Sequence, residues 1–567
     1  MKKKLNFIVV LLAIFIASSC SVDNLEIPQK GVISYDNFYK TEADAESAIA
    51  SCYSAAQQFV VRGITGGLQF NYSPYLELFN LLSDDMNSAG TDHDDHPWGH
   101  ELNEYHFSTE HQTITNIYRS LYAVIYSANL VITNFEGSDN ANIRRCIAEA
   151  RVWRAWCHFI LATWWGTPPL VTELLSGESP GNSAPGEVMA FVIKEFEEAA
   201  ADIPSKTSKT DKAGTVRLTK EAVYAFLGKA LVQDKQYAKA ADILKTNVID
   251  KQLYDLVSGS EMEVMFHQGG NYSVEKIFEF NVVNNTAITS TNMNNTMAWQ
   301  SANRMSWRGD RIKGGTPKEV FESGWGGWMP TKNFAEALIA NDGIDSYRRK
   351  AWIKTWEEFI CDLTWSGTSN DDKTRDERMK DNKRGLLSTT VPLHGCDGYL
   401  MWKRLPWKKD ECPGKTGYFL GNQVIMRYAE VLLLFAEACA QSNKYTAEAL
   451  VALNKIQNRA HSGNGYVSSS LTLNDVKKEK RFELWLEGTR SADLIRWGDA
   501  ATVLANNGSA IPDWYDVDPN DHYKAAAKYT DWKAVYNGGF KSGKHELLPF
   551  PFWATSRNLN LKQNPGW

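Results

Sequence analysis

Apolar residues recur at helical spacing through most of the N-terminal half of the chain. Val152, Trp156 and Phe159 lie at i, i+4 and i+7, which is the stripe of an amphipathic helix. This helix is predicted to span 143–165, because the Gly and Pro residues of 166–169 are a strong terminator. The same patterns predict a helix capped by Thr41 and helices over 113–135, 185–203, 219–234 and 237–249.

The helices predicted over 219–234 and 237–249 are joined by a short turn, and the first of them carries Ala222, Ala225 and Gly228 on one side. Small residues let two helices approach closely, so the two are expected to pack as a pair that resembles a tetratricopeptide unit. A second such pair is predicted much later, over 427–442 and 446–461. The helical scaffold is therefore expected to be interrupted and then resumed.

The interruption, 255–421, differs in character from its flanks. It contains an Asn- and Thr-rich run over 281–303 and many Gly and Pro residues. It also holds nine of the twenty tryptophans: Trp299, Trp307, Trp325, Trp328, Trp352, Trp356, Trp365, Trp402 and Trp407. Because binding residues concentrate on loops held by a rigid scaffold, this insertion is predicted to bind the ligand.

The N-terminus has the three parts of a secretory signal: basic Lys2 to Lys4, an apolar run over 5–17, and small residues before Cys20. The apolar run is too short to span about 30 Å of hydrocarbon. We therefore predict an exported lipoprotein that is cleaved before Cys20 and held on a membrane by acyl chains. An ordinary signal peptide with a cysteine nearby is the alternative.

Charge excludes one class of partner. The formal charge is −6, and removing the three signal lysines gives −6 − 3 = −9 for the mature chain. An acidic body with no dense Lys/Arg tract argues against nucleic acid as a partner.

The seven other cysteines fall into two groups. Cys52, Cys146, Cys157 and Cys439 lie among apolar neighbours in helical patterns and are predicted to be buried thiols. Cys361, Cys396 and Cys412 lie in the loop-rich region. A disulfide between the last two is possible outside the cytoplasm, and the sequence leaves this open.

Two acidic clusters could carry chemistry. Glu479, Glu483 and Glu487 have a spacing that could suit a glycosidase. The residues around them are apolar and are expected to lie in the core, so an ion-paired scaffold is the preferred interpretation. The run 92–96, Asp-His-Asp-Asp-His, lacks the ligand order of an EF-hand loop and the spacing of an HExxH motif, which favours a solvated loop. No catalytic residue, metal or cofactor is therefore predicted.

Seven stretches, taken together, are similar to a known family: EARVWRAW (149–156), WGTPPLV (165–171), MRYAEVLLLFAEA (426–438), LNKIQNRA (453–460), EKRFELWLEGTRSADLIRWG (479–498), LLPFP (547–551) and QNPG (563–566). Their order and spacing resemble those of the SusD/RagB family of Bacteroidetes outer-membrane lipoproteins. The resemblance covers essentially the whole mature chain.

The resemblance implies a mostly α fold, with about four tetratricopeptide-like helix pairs supporting a large irregular half that binds the ligand. It implies a non-enzymatic, surface-exposed protein of the outer membrane, with an oligosaccharide as ligand and a SusC-like TonB-dependent transporter as partner. The expected organisation is a signal peptide (1–19), a lipidated tether (20–40), a helical region (41–254), the insertion (255–421) and a C-terminal region that completes the scaffold (422–567).

Indoles offer flat apolar surfaces on which a pyranose can stack, while amide, imidazole and guanidinium groups bond its hydroxyls. The candidate ligand-binding residues are Trp98, His96, Trp299, Asn303, Arg304, Trp307, Trp325 and Trp328. The alternative is that these indoles pack the irregular half. A surface glycoside hydrolase or esterase, and a peptide-binding protein on the same scaffold, are the competing functions.

Overall fold

The computed structural model describes residues 38–61, 74–177, 179–283, 301–313, 317–321, 324–364, 374–380, 384–461, 467–518, 520–521 and 524–567. Cys20, Trp299 and Trp365 lie outside the described residues, and so does the predicted signal peptide.

The part before the insertion is built from helices. They are α1 (Glu42–Val61), α2 (Pro74–Leu81), α3 (Pro97–Asn103), α4 (Gln112–Phe135), α5 (Ala141–Trp165), α6 (Glu187–Ala199), α7 (Ala213–Val216), α8 (Lys220–Gln233) and α9 (Tyr237–Leu244). A π-helical turn over Lys245–Ile249 extends α9. One strand, β1 (Met86–Ser88), lies between α2 and α3.

Local chemistry sets the ends of the long helices. Thr41 and Asp44 bond each other's side chain and backbone at the start of α1. The Asn140 side chain accepts hydrogen bonds from the backbone N–H groups of Asn142 and Ile143, the second and third residues of α5, which is an ordinary N-cap. Gly166, with a φ of 72°, ends α5 and donates its N–H to the Ala162 carbonyl. Helix α5 then packs against α1, α4 and α6.

The predicted pair α8 and α9 forms because a glycine leaves room for it. A Cβ built on Gly228 would lie 2.2 Å from Leu244 Cδ2, so the two helices touch where any side chain would separate them. Helix α9 also packs on α14 (Tyr428–Ser442), which pairs in turn with α15 (Thr446–Ala460). The α9–α14 contact therefore joins the two parts of the scaffold across the insertion.

Most of the insertion lies between two strands that pair with each other. Strand β2 (Lys276–Phe280) is antiparallel to β7 (Gln423–Arg427), with Lys276 opposite Arg427 and an irregularity in register at Phe278. Between them lie β3 (Trp328–Pro330), β4 (Ile353–Thr355), β5 (Leu393–His394), β6 (Tyr399–Met401), α10 (Lys332–Asp342), α11 (Tyr347–Trp352), α12 (Trp356–Cys361) and α13 (Arg375–Met379).

The C-terminal region packs against other parts of the molecule at several places. Its elements are α16 (Leu473–Glu483), α17 (Arg490–Trp497), α18 (Ala500–Val503), β8 (Ile511–Tyr515), β9 (Ala526–Thr530), α19 (Trp532–Tyr536) and α20 (Phe552–Arg557). Strand β8 lies between β5 and β9 in a three-stranded antiparallel sheet. This sheet ties the end of the chain to the insertion.

The glutamates of the 479–498 motif lie in a buried ion-pair network. Glu483, with no exposed surface, accepts hydrogen bonds from Arg427 and Arg459, each at 2.5 Å, and from Arg348 at 3.1 Å. Glu487 accepts from both nitrogens of the Arg427 fork. The preferred interpretation of this motif as an ion-paired scaffold is therefore confirmed, because the charges satisfy one another in the interior.

The fold class and the burial of the helical cysteines can be compared with the sequence predictions. The fold class is confirmed: the structure is mostly α, with helix pairs supporting an irregular, loop-rich part. Cys52, Cys146, Cys157 and Cys439 are buried as predicted. Cys396 and Cys412 are buried too, and among the described residues the structure forms no disulfide between them.

None of the described helices has both the length and the apolar character needed to cross a bilayer.

Candidate functional site

Three of the predicted ligand-binding residues converge on one partly exposed surface. The His96 ring lies 5.2 Å from the Trp98 ring, nearly perpendicular to it, and 6.0 Å from the Trp325 ring at an interplanar angle of 33°. All three side chains are intermediate in exposure. We call this surface, His96 with Trp98 and Trp325, the aromatic face.

Two segments that are distant in sequence build the aromatic face. His96 is the N-cap of α3 and adopts left-handed backbone geometry with a φ of 62°, and Trp98 lies in the first turn of that helix. Strand β3 pairs with β1 and thereby carries the preceding loop, with Trp325, to the same place. The Ala89 N–H donates to the Gly327 carbonyl at 2.9 Å and fixes that loop.

Hydrogen bonds to buried polar side chains hold Trp98 in place. Its indole N–H donates to Glu77, a carboxyl that is only 1% exposed. Burial raises the pKa of Glu77 to about 7, although Arg304 and the Trp98 hydrogen bond act in the opposite direction. The Trp98 carbonyl accepts from His111 Nε2 at 2.9 Å.

Arg304 lies beneath the aromatic face rather than on it. The side chain is fully buried, and Nη1 donates to the Ala89 carbonyl at 3.1 Å. A Cβ built on Gly327 would lie 2.3 Å from Arg304 Cδ, so only glycine fits between the loop and this arginine. The predicted role of Arg304 as a ligand contact is therefore replaced by one in positioning the loop.

Hydrogen-bonding groups border the aromatic face. Arg308 donates to Asp310 through Nε at 2.8 Å and Nη2 at 2.6 Å, and to Thr91 Oγ1 at 2.5 Å. Asp95 accepts from the backbone and the side chain of Thr91. Burial, together with nearby Arg304, lowers the pKa of His96 to about 3, so its ring is uncharged at neutral pH. Charged and neutral donors and acceptors thus surround a surface of three rings.

The other predicted ligand-binding residues do not join this surface. Trp307 and Trp328 are each 1% exposed, and the Trp307 indole N–H donates to the Met401 carbonyl inside the core. Asn303 is fully buried, and its carbonyl accepts from the Trp325 N–H at 2.6 Å. A sugar cannot stack on rings that are already covered on both sides, so these residues support the aromatic face from within. Trp299 lies outside the described residues.

A concave surface lies elsewhere, between the insertion and the C-terminal region. It is a cleft of 990 Å³ that includes partly exposed Tyr399 and Trp514. Much of its charge is already paired, as in the bond from Arg349 Nη2 to Glu358 Oε1 at 2.8 Å. Sequence analysis did not single out this cleft, because its residues come from separate short elements with no shared motif.

Sequence analysis also missed the groups that position the aromatic face. Glu77 lies in α2, and its partnership with Trp98 joins two helices that sequence patterns did not predict. Arg308 follows the buried Trp307 directly, and only its packing against Gly326 places it at the border of the face. No local pattern signals either role, because both depend on contacts between distant segments.

Comparison with known proteins gives a consistent family. A family model described as "SusD family" matches residues 397–567, and a second, "Starch-binding associating with outer membrane", matches residues 33–231. A SusD-like protein, P25, of Formosa agariphila is 24% identical over 522 residues, covering 88% of this chain and 91% of the relative. A SusD-like protein of Bacteroides ovatus is 21% identical, covering 88% and 83%.

Solved structures share the fold over nearly the whole chain. A laminarin binding SusD-like protein superposes with a TM-score of 0.69 at 20% identity, covering 93% of this chain and 100% of its own. Surface glycan-binding protein A from Bacteroides thetaiotaomicron, in complex with laminarihexaose, superposes with a TM-score of 0.67 at 18% identity and the same coverage. At these identities the likeness establishes the fold.

Proposed function

We propose that this chain, which belongs to the SusD/RagB family, binds an oligosaccharide on its aromatic face and delivers it to a TonB-dependent outer-membrane transporter. The observation that carries the proposal is the meeting of Trp98 and Trp325 across His96 on one accessible surface. The two indoles come from the N-terminal region and the insertion, so the fold itself assembles the surface.

The chemistry of the aromatic face suits a sugar. A pyranose presents a flat face of C–H groups, and an indole buries that face without requiring a charge. The ring hydroxyls need donors and acceptors at the edge, which Arg308, Asp310 and Asp95 supply.

The names of the structural neighbours suggest the first ligands to test. One is described as laminarin binding and another was solved with laminarihexaose. We propose laminarihexaose as the first probe, followed by a panel of plant, algal and host oligosaccharides.

We propose binding without turnover. A glycosidase needs two accessible carboxyl groups on either side of the scissile bond. Glu479 and Glu483 are fully buried, the Glu487 side chain is 9% exposed, and all three are held in ion pairs with arginine, so we infer that none of them acts on a glycan. Release of reducing ends from laminarin by the purified protein would contradict this part of the proposal.

The proposal includes a membrane anchor at Cys20 and a partner. A lipidated Cys20 followed by a polar tether would hold the protein beside its transporter at a high effective concentration. The helical body could then swing over the transporter while its lipid remains in the outer membrane.

Isothermal titration with each glycan, followed by three matched variants, tests the site. Trp325→Ala should weaken binding about tenfold, which corresponds to removing an aromatic stacking contact worth about 1.4 kcal/mol. Trp553→Ala, which alters a 39% exposed indole on α20, should leave the affinity unchanged. If Trp514→Ala in the cleft abolishes binding and Trp325→Ala does not, the cleft is the site and the aromatic face is not.

A further inference from the structure

A cluster of imidazoles and one carboxylate lies behind the aromatic face. His93, His100 and Glu104 each present a donor atom, and the three atoms lie within 4.8 Å of one another. His93 Nε2 lies 2.8 Å from Glu104 Oε1, and the His93 and His100 rings stack with centroids 4.6 Å apart. Within the described residues this is the one group of three such side chains with metal-ligand spacing.

His100 has no partner for either of its ring nitrogens among the described residues, although the residue is only 1% exposed. A buried polar group without a hydrogen bond costs on the order of 1–3 kcal/mol, so native proteins rarely retain one without a reason. An imidazole whose two nitrogens both lack protein partners, next to a second imidazole and a carboxylate, has the environment of a metal ligand.

The ring of His394 lies beside this cluster. Its ring centroid lies 5.1 Å from that of His100 and 6.2 Å from that of His93. Nδ1 lies 2.7 Å from Asp513 Oδ1, whereas Nε2 is buried and has no partner among the residues that the structure describes. Metal-binding histidines characteristically use one nitrogen for the ion and donate the other N–H to a carboxylate.

Two carboxylates beside the cluster would offset the charge of a bound cation and of the nearby Arg304 guanidinium only in part. Glu104 is fully buried, and its ion-pair partners among the described residues are the imidazoles of His93 and His106. A buried carboxylate is normally balanced by a fixed positive charge such as an arginine or a metal ion. Glu104 and Asp513 together would offset the two charges of a divalent ion but not that of Arg304 as well.

We propose that His93, His100 and Glu104 bind a zinc ion, with His394 as the fourth ligand. Nitrogen donors favour Zn²⁺ over Ca²⁺ and Mg²⁺, which prefer oxygen ligands. Four protein ligands would close the coordination sphere, which is typical of a structural site rather than a catalytic one.

Modest side-chain movement would form the site. Bonds of about 2.0 Å to a tetrahedral zinc ion place neighbouring donor atoms roughly 3.3 Å apart. The donor atoms of His93, His100 and Glu104 lie within 4.8 Å of one another, so the longest separation must shrink by up to about 1.5 Å. The 2.8 Å between His93 Nε2 and Glu104 Oε1 must widen by about 0.5 Å, and the ring of His394 must move towards the same point. His93 would take the tautomer with its proton on Nδ1, so that the Nε2 lone pair faces the ion. Where His93 is protonated against Glu104, zinc binding releases that proton to solvent, and no oxidation is required.

The ion would clamp the segment that carries the aromatic face. His93 and His100 lie on either side of His96 and Trp98 in the chain, while His394 lies in β5. The Trp532 ring of α19 covers His93 at 3.7 Å. A zinc ion here would fix the start of α3 against β5, and this consequence for ligand binding rests on the proposed function.

The test uses untagged, chelator-treated full-length mature protein, dialysed against Zn²⁺ and then against metal-free buffer. Elemental analysis should give one zinc per chain, and the thermal midpoint should rise with added Zn²⁺. Replacing zinc by Co²⁺ should produce the visible absorption of a tetrahedral nitrogen-ligated ion, which reports coordination in the unmutated protein.

His100→Gln should lose the bound zinc and the zinc-dependent rise in thermal midpoint. His461→Gln is the matched control, because His461 is also buried with an unpartnered Nε2 but lies elsewhere, with Nδ1 3.2 Å from the Asp342 carbonyl. Absence of zinc in the wild-type protein, or full retention of zinc by a folded His100→Gln variant, would overturn the proposal. Neither result depends on glycan binding, so the two proposals fail separately.

Discussion

Single neighbouring side chains set the pKa of the Glu487 carboxyl. Burial alone would raise its pKa, but Arg427 and Lys403 outweigh that effect and lower the pKa from 4.5 to about 2. Lys403 Nζ donates to Glu487 Oε1 at 2.7 Å, and Arg427 Nε donates to Oε2 at 2.8 Å. The carboxylate is therefore stabilised by two cations that are themselves buried.

This pKa shift predicts a specific loss of stability in acid. Because the folded pKa lies below the unfolded one, the contribution of Glu487 is present above about pH 4.5 and is lost as the pH falls towards 2. Urea unfolding should show Glu487→Gln less stable than wild type by about 3 kcal/mol at pH 6, with a smaller difference at pH 3. An equal difference at both pH values would contradict the assigned pairing.

The residue types in the sequence were enough to predict three side chains of the candidate site. Trp98, His96 and Trp325 were selected from the sequence, and the fold brings them together. Trp307 and Trp328 were selected on the same grounds but lie in the core. An indole can serve either purpose, and only the three-dimensional packing decides whether its face stays open.

At the scale of elements, the close contact between α8 and α9 depends on Gly228. A larger side chain there would meet Leu244 at 2.2 Å and push the helices apart. Gly228→Val should lower the free energy of unfolding by about 1–3 kcal/mol, the usual cost of overpacking, as measured by urea denaturation followed by circular dichroism. Gly177→Val is the control, because nothing lies within 4 Å of a Cβ at that position. Equal stability of the two variants would disprove the close-contact account.

The long helices were predictable from the sequence, and the short strands were not. The helices predicted over 113–135 and 446–461 are observed as Gln112–Phe135 and Thr446–Ala460, because their apolar periodicity and end signals are local. Strands β1 and β3 have three residues each and pair with each other, although one lies in the N-terminal helical region and the other in the insertion. So short a segment carries too little period-2 pattern to be recognised in the sequence.

At the scale of the whole molecule, the anchor and the binding body are separate parts. Cys20→Ala should abolish incorporation of labelled fatty acid and release the protein from the outer membrane, because no other acylated cysteine is proposed. Cys146→Ala, which changes a buried helical cysteine, should keep the label. Persistent labelling of Cys20→Ala would refute the lipoprotein assignment.

Copurification from cells that make the lipidated protein tests the proposed transporter partner. Affinity purification of the lipidated protein from detergent-solubilised outer membranes should recover a TonB-dependent barrel in a stoichiometric complex. The Trp325→Ala variant should recover the same barrel, because the proposed sugar surface and the proposed partner contact are independent. Purification of the folded, membrane-bound protein without any barrel would contradict the delivery role.

The central claim is that Trp98 and Trp325 form the surface on which the sugar binds. The dissociation constant of the oligosaccharide for wild type and for Trp98→Ala, measured by isothermal titration in the same buffer, tests it most directly. The account predicts binding at least about tenfold weaker in a variant that keeps the wild-type circular dichroism spectrum. An unchanged dissociation constant in a folded Trp98→Ala protein would contradict it.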